Sequence, residues 1–80
     1  MRFELPMRFE LPSSTYVRVA IFDAAGRLVD RIAEGPFAAG RHEVTWQGRS
    51  LSGQRVGSGI YFCKLEAGSY VGSIKLMLLK

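Results

Sequence analysis

The chain has 80 residues, 48% hydrophobic and 22% charged, with nine glycines and a formal net charge of +4. That length fits one domain with a small core, and the composition excludes a disordered segment. A single cysteine excludes an intrachain disulfide. No apolar run approaches the ~20 residues of a membrane-spanning helix.

The charge is uneven. Residues 1–40 balance five arginines against five acids, so the whole excess lies in residues 41–80. The basic residues there are scattered rather than gathered into a patch, which argues against a nucleic-acid partner. The opening Met-Arg-Phe-Glu-Leu-Pro sets an acid and a proline within six residues and is no signal-peptide core.

In chain order, the first feature is an identical tandem repeat: residues 1–6 and 7–12 both read M-R-F-E-L-P. Its period is far below the ~20–50 residues of solenoid repeats. It reads as a duplicated first strand, either engineered or a scar of cloning, in front of one domain at residues 7–80. Each copy puts Met, Phe and Leu on one face and Arg and Glu on the other. Six is even, so sliding by one copy keeps the same face inward. The two copies compete for one slot, and the loser must dangle or pair with another chain; the expectation is a swapped strand in a homodimer.

Tyr16–Asp23 alternates as a strand, with Val17, Val19 and Ile21 on one face. Asp23-Ala24-Ala25-Gly26-Arg27 is a hairpin turn in which Gly26 supplies a positive φ. Leu28–Ala33 returns, with a bulge or a bend expected at Leu28-Val29. Residues 35–40, G-P-F-A-A-G, read as a loop. Arg41–Gln47 alternates again, and Gly48–Gly59 is the longest loop, with Val56 tucked inward. Ile60–Glu66 pairs with Tyr70–Leu79 across Ala67-Gly68, setting Leu65 opposite Tyr70, Cys63 opposite Gly72 and Tyr61 opposite Ile74. The sum is an all-β chain: an immunoglobulin-like (fibronectin III-like) antiparallel β-sandwich of about seven strands. Its expected core includes Val19, Val44, Trp46, Tyr61 and Ile74.

The chemistry-bearing residues are sparse. His42 shares strand parity with Val44 and Trp46, and no carboxylate or oxyanion donors are arranged around it as a triad requires. His42 and Cys63 are two zinc ligands where about four are needed, and the long loop has no acid for calcium. The glycines of Ser52–Gly59 lack phosphate-loop spacing. These patterns predict no enzyme, no cofactor and no metal. Cys63 lies in phase with Tyr61 and Leu65 and reads as a small buried hydrophobe. Trp46 reads as a core anchor, with a sugar-stacking platform as the rival. Phe22 and Phe62 fall on the parity opposite to their strands' main apolar sets, so they form an exposed patch if they share a face.

Four segments carry a resemblance: V-R-V-A-I-F-D-A-A-G-R-L-V (17–29), A-G-R-H-E-V-T-W-Q-G (39–48), S-G-Q-R-V-G-S-G-I-Y-F-C-K-L (52–65) and I-K-L-M-L-L-K (74–80). From Arg8 to Lys80 the chain resembles the immunoglobulin-like domain of flagellar hook-capping proteins, and equally the C-terminal sorting domains of proteins exported by the type IX system. Where many relatives read W-D-G-x-D, this chain has Trp46-Gln47-Gly48-Arg49-Ser50. It has lost both carboxylates, so the resemblance brings no cation site.

The resemblance implies a non-catalytic module of a larger exported protein, secreted or at the cell surface, with a protein partner. The favoured expectation is a C-terminal sorting or attachment module recognised by secretion machinery through surface and edge-strand contacts. The alternatives are an assembly module of the hook-capping type that oligomerises, and a carbohydrate-binding module. The candidate contact residues are Arg49, Arg55, Phe22, Phe62, Lys75 and Lys80.

Overall fold

Alternating apolar residues become six strands in the computed structural model, which describes residues 4–79. They are β1 (Leu5–Leu11), β2 (Thr15–Asp23), β3 (Leu28–Phe37), β4 (Gly40–Trp46), β5 (Gly59–Ala67) and β6 (Tyr70–Leu78). All pairings are antiparallel, in a two-stranded sheet β1-β4 and a four-stranded sheet β3-β2-β5-β6. Met7, Leu11 and Trp46 of the small sheet bury against Val17, Val19, Ile21, Tyr61, Cys63, Leu76 and Leu78 of the large one. The all-β, immunoglobulin-like sandwich is thus as expected, with six strands among the described residues where about seven were expected of the chain.

Trp46 anchors the interior. Its side chain is 1% exposed, packs edge-on to Tyr61 with centroids 5.3 Å apart, and donates its indole N–H to the Arg49 carbonyl at 3.0 Å. Burying an aromatic of this size while satisfying its polar tip makes it the heaviest single contributor to a small core. Val56 packs against the same cluster, as expected.

The β2–β3 hairpin closes as the sequence predicts. Asp23 N–H donates to the Arg27 carbonyl and Gly26 N–H to the Asp23 carbonyl, both at 2.9 Å, with Gly26 at φ 86°. The Asp23 carboxylate accepts from the Ala25 and Arg27 amides at 3.0 and 2.9 Å and from Arg27 Nε at 3.2 Å. The Arg27 amide bond is the main reason its carboxyl sits below the ordinary range. The bulge expected at the start of β3 is present, since the register shifts between Ile21 and Phe22, and a second shift lies between Val19 and Ala20.

Three expectations need correction. Gly35, Pro36 and Phe37 continue β3, with Pro36 opposite Tyr16, rather than forming a loop. β3 is an edge strand, where a proline without an N–H costs the ladder least. The β5–β6 hairpin turns one residue later than predicted, with Ala67 opposite Tyr70, Leu65 opposite Gly72, Cys63 opposite Ile74 and Tyr61 opposite Leu76. The shift moves each partner by two residues and so preserves the faces. Finally, Ile74 faces inward by parity yet is 53% exposed, because the two-stranded sheet does not reach over the first half of β6. Leu76 and Leu78 take the buried places instead, while Val44 is half-buried.

The tandem repeat meets the fold in β1. Met7, Phe9 and Leu11 of the second copy pair with Val44, His42 and Gly40, while Leu5 and Pro6 of the first copy extend the strand to pair with Trp46 and Thr45. Residues 1–3 of the first copy lie outside the described residues.

Candidate protein-docking face

The outer face of the four-stranded sheet is built from residues out of phase with the core. Phe22 follows Ile21 on β2, and Phe62 lies between Tyr61 and Cys63 on β5, so burial of those neighbours turns both rings outward. The register then places Phe22 directly opposite Phe62. Leu28 on β3 pairs with Phe22, and Lys75 on β6 pairs with Phe62, so Leu28, Phe22, Phe62 and Lys75 form one row across all four strands. Beside it Ile60 pairs with Met77, which is 66% exposed.

The other end of the same face is charged. Glu34, Arg18 and Glu66 are consecutive partners across β3, β2 and β5. Arg18 lies 3.5 Å from Glu34 and 3.8 Å from Glu66, and Lys64 lies 3.3 Å from Glu66. Tyr16 donates its hydroxyl to Glu34 at 2.8 Å, and the Arg18 guanidinium sits 5.6 Å from the Tyr16 ring centroid. That hydrogen bond raises the Tyr16 pKa and, with Arg18, lowers that of Glu34.

The long loop meets the apolar end. Leu51 N–H donates to the Val29 carbonyl at 2.8 Å, and Leu51, Leu28, Val29, Val56 and Tyr61 line one shallow depression. Arg49 and Arg55 face each other in a β-bridge within this loop, and Arg49 Nη1 donates to the Gly53 carbonyl at 2.9 Å. The fold therefore aligns Phe22, Phe62 and Lys75, and leaves Arg49 and Arg55 in the adjoining loop. Lys80 lies outside the described residues. Leu28, Ile60, Leu51 and Met77 were not singled out from the sequence, although Ile60 shares parity with Phe62, and Met77 with Lys75.

The groups that could do chemistry are engaged elsewhere. His42 lies 5.5 and 5.0 Å from the rings of Phe9 and Phe37, and its Nε2 is 2.7 Å from the Ala38 carbonyl. Cys63 is buried, which pushes its thiol pKa up and disfavours the reactive thiolate. Among the described residues no three His, Cys, Asp or Glu side chains stand together as a metal set, and no helix is long and apolar enough to cross a membrane.

The FlgD Ig-like domain family matches residues 3–70. The chain belongs to that family. A crystal structure of FlgD from P. aeruginosa is similar over 94% of this FlgD Ig-like chain, with 28% identity and a TM-score of 0.74. The chain spans 58% of the length of that FlgD. No curated protein matches it.

These findings overturn the sorting expectation. The sequence similarity and the structural similarity both fall on the FlgD side of the resemblance, not on the type IX sorting side. The match supports the expected alternative, a structural assembly domain. The sugar-binding alternative also loses its platform, because Trp46 is buried.

Proposed function

We propose that this FlgD Ig-like domain is a non-catalytic assembly module of a longer hook-capping-type protein outside the cytoplasm, and that it packs against neighbouring protein through the apolar end of its outer face. The observation that carries this reading is the row Leu28–Phe22–Phe62 with Ile60 and Met77 beside it. A contiguous apolar patch on a small domain marks a contact site, and two aromatics at its centre suit a contact that excludes water. Lys75 at the end of the row and the exposed Arg55 in the neighbouring loop favour a partner with carboxylates at the rim.

The test is a domain exchange. This chain replaces the Ig-like domain of P. aeruginosa FlgD, and hook-bearing cells are counted. The exchanged protein is expected to support hook growth, and the double substitution Phe22→Glu/Phe62→Glu is expected to abolish it at unchanged protein level. Hooks formed equally well by the double variant would overturn the reading. So would failure of a folded, exported exchange protein with the row intact.

A further inference from the structure

The strands at the borders of the two sheets are not alike. β3 carries Asp30, Arg31, Glu34 and Pro36 and two register shifts. β1 carries Pro6, Arg8 and Glu10, and β4 carries Arg41 and Glu43. Charges, prolines and bulges are the devices that keep a border strand from pairing with another chain. β6 has nine residues, no proline, no register shift against β5 and one charge, Lys75. Tyr70, Val71, Ile74 and Met77 along it are all more than half exposed. The Tyr70 ring lies over Gly72, where an added Cβ would come 2.9 Å from its Cζ, so the glycine is covered without a side chain of its own.

We infer that β6 is a self-pairing edge, and that its partner is β6 of a second copy of this chain, joined antiparallel about a two-fold axis. Such a pair must set inward-facing residues against inward-facing ones. Pairing the whole strand with itself puts Ile74 opposite Ile74, Lys75 opposite Ser73, Met77 opposite Val71 and Leu78 opposite Tyr70. No lysine meets lysine, and the half-open inner face at Ile74 gains a cover that the small sheet does not provide. A register centred one residue later would set Lys75 against Lys75, so charge excludes that frame, and one centred a residue earlier leaves Met77 and Leu78 without strand partners. The product is a continuous eight-stranded sheet whose outer face carries both apolar rows, continuous through Met77 and Val71. The inference stands on the contrast among the border strands and does not require the outer row to be a docking site.

Sedimentation and light scattering over a rising concentration series read the association directly. The chain is expected to approach the mass of two copies, and Ile74→Lys is expected to weaken association about tenfold or more by setting like charges face to face. Ile74 is exposed, so circular dichroism should show the variant folded. Oxidation pins the register once the native thiol opposite Ile74 is removed: in a Cys63→Ala background Ile74→Cys is expected to form a disulfide-linked dimer alone, and Val71→Cys only when mixed with Met77→Cys. A single-chain mass at every concentration up to the solubility limit would sink the proposal, as would absence of the Ile74→Cys crosslink. A dimer that survives Ile74→Lys but is lost with Phe62→Glu would also overturn it, and would move the contact to the outer row.

Discussion

The two ends of one sheet face are made from neighbouring residues on the same strands, yet they are in opposite physical states. Around Arg18 the charges answer one another: Glu34, Glu66, Lys64 and the Tyr16 hydroxyl form a local set that needs nothing from outside. Around Phe62 the chain has aligned apolar side chains across four strands and left them facing water. Exposed ion pairs contribute little to folding, so the charged end is a solubility device. The apolar end costs solubility and gives the fold only modest stability, which is why it reads as a contact.

Breaking the platform beneath both ends should have the largest effect. Trp46→Ala removes the buried indole and its bond to the Arg49 carbonyl, and should cost about 3–5 kcal/mol, enough to unfold a domain this small. Thermal melting would show both ends lost together. A retained melting transition within a few degrees of the parent would mean that the sandwich does not depend on that anchor.

Next in size is the asymmetry between the ends. Phe62→Glu should lower folding stability by only about 1–2 kcal/mol, since the ring is half-buried, while removing the proposed assembly. Arg18→Ala at the charged end should change stability by no more than about 1 kcal/mol and leave assembly intact. Urea melts paired with the hook count separate the two, and equal loss of hooks from both variants would erase the distinction.

The smallest effect is the response to pH. The Asp23 and Glu34 carboxyls are held below their ordinary values, chiefly by the Arg27 amide and the Tyr16 hydroxyl. Their contribution is complete above the unfolded values near about pH 4 and fades as pH falls through the lower folded ones. Tyr16 acts in the opposite sense. Its raised pKa favours the neutral hydroxyl in the folded chain, a contribution present below about pH 10 and lost as pH rises through the folded value. Melting temperature should therefore dip slightly at both extremes. Tyr16→Phe with Glu34→Gln should flatten both dips while leaving the Asp23 part of the acid dip. An unchanged alkaline dip in that double variant would show that the hydrogen bond is not its source.

Much of this was legible before folding. Period-two alternation put Val17, Val19, Ile21, Tyr61 and Cys63 on the buried side, and it put Phe22 and Phe62 on the other. Asp23 and Gly26 located a turn. The β5–β6 register differs by two residues from the one the pattern predicts, because the faces are the same in either frame and face parity cannot tell them apart. Glycine and proline punctuate chains and so predict a loop at 35–37, a rule that yields at a sheet border. The site is half visible in the pattern: the two phenylalanines stand out of phase with their strands, whereas Leu28, Ile60 and Met77 are ordinary strand residues until their neighbours are known.

Which way each side chain points is already present in the unfolded chain's pattern, because alternation is a property of a strand taken alone. Who stands next to whom comes only with the packed fold. Phe22 and Phe62 are forty positions apart, and they meet only because β2 and β5 are neighbours. Ile74 points inward as the pattern requires but stays wet because the covering sheet has two strands. Sheet order and sheet width come from the competition of all strands for one core, and no local pattern carries that information.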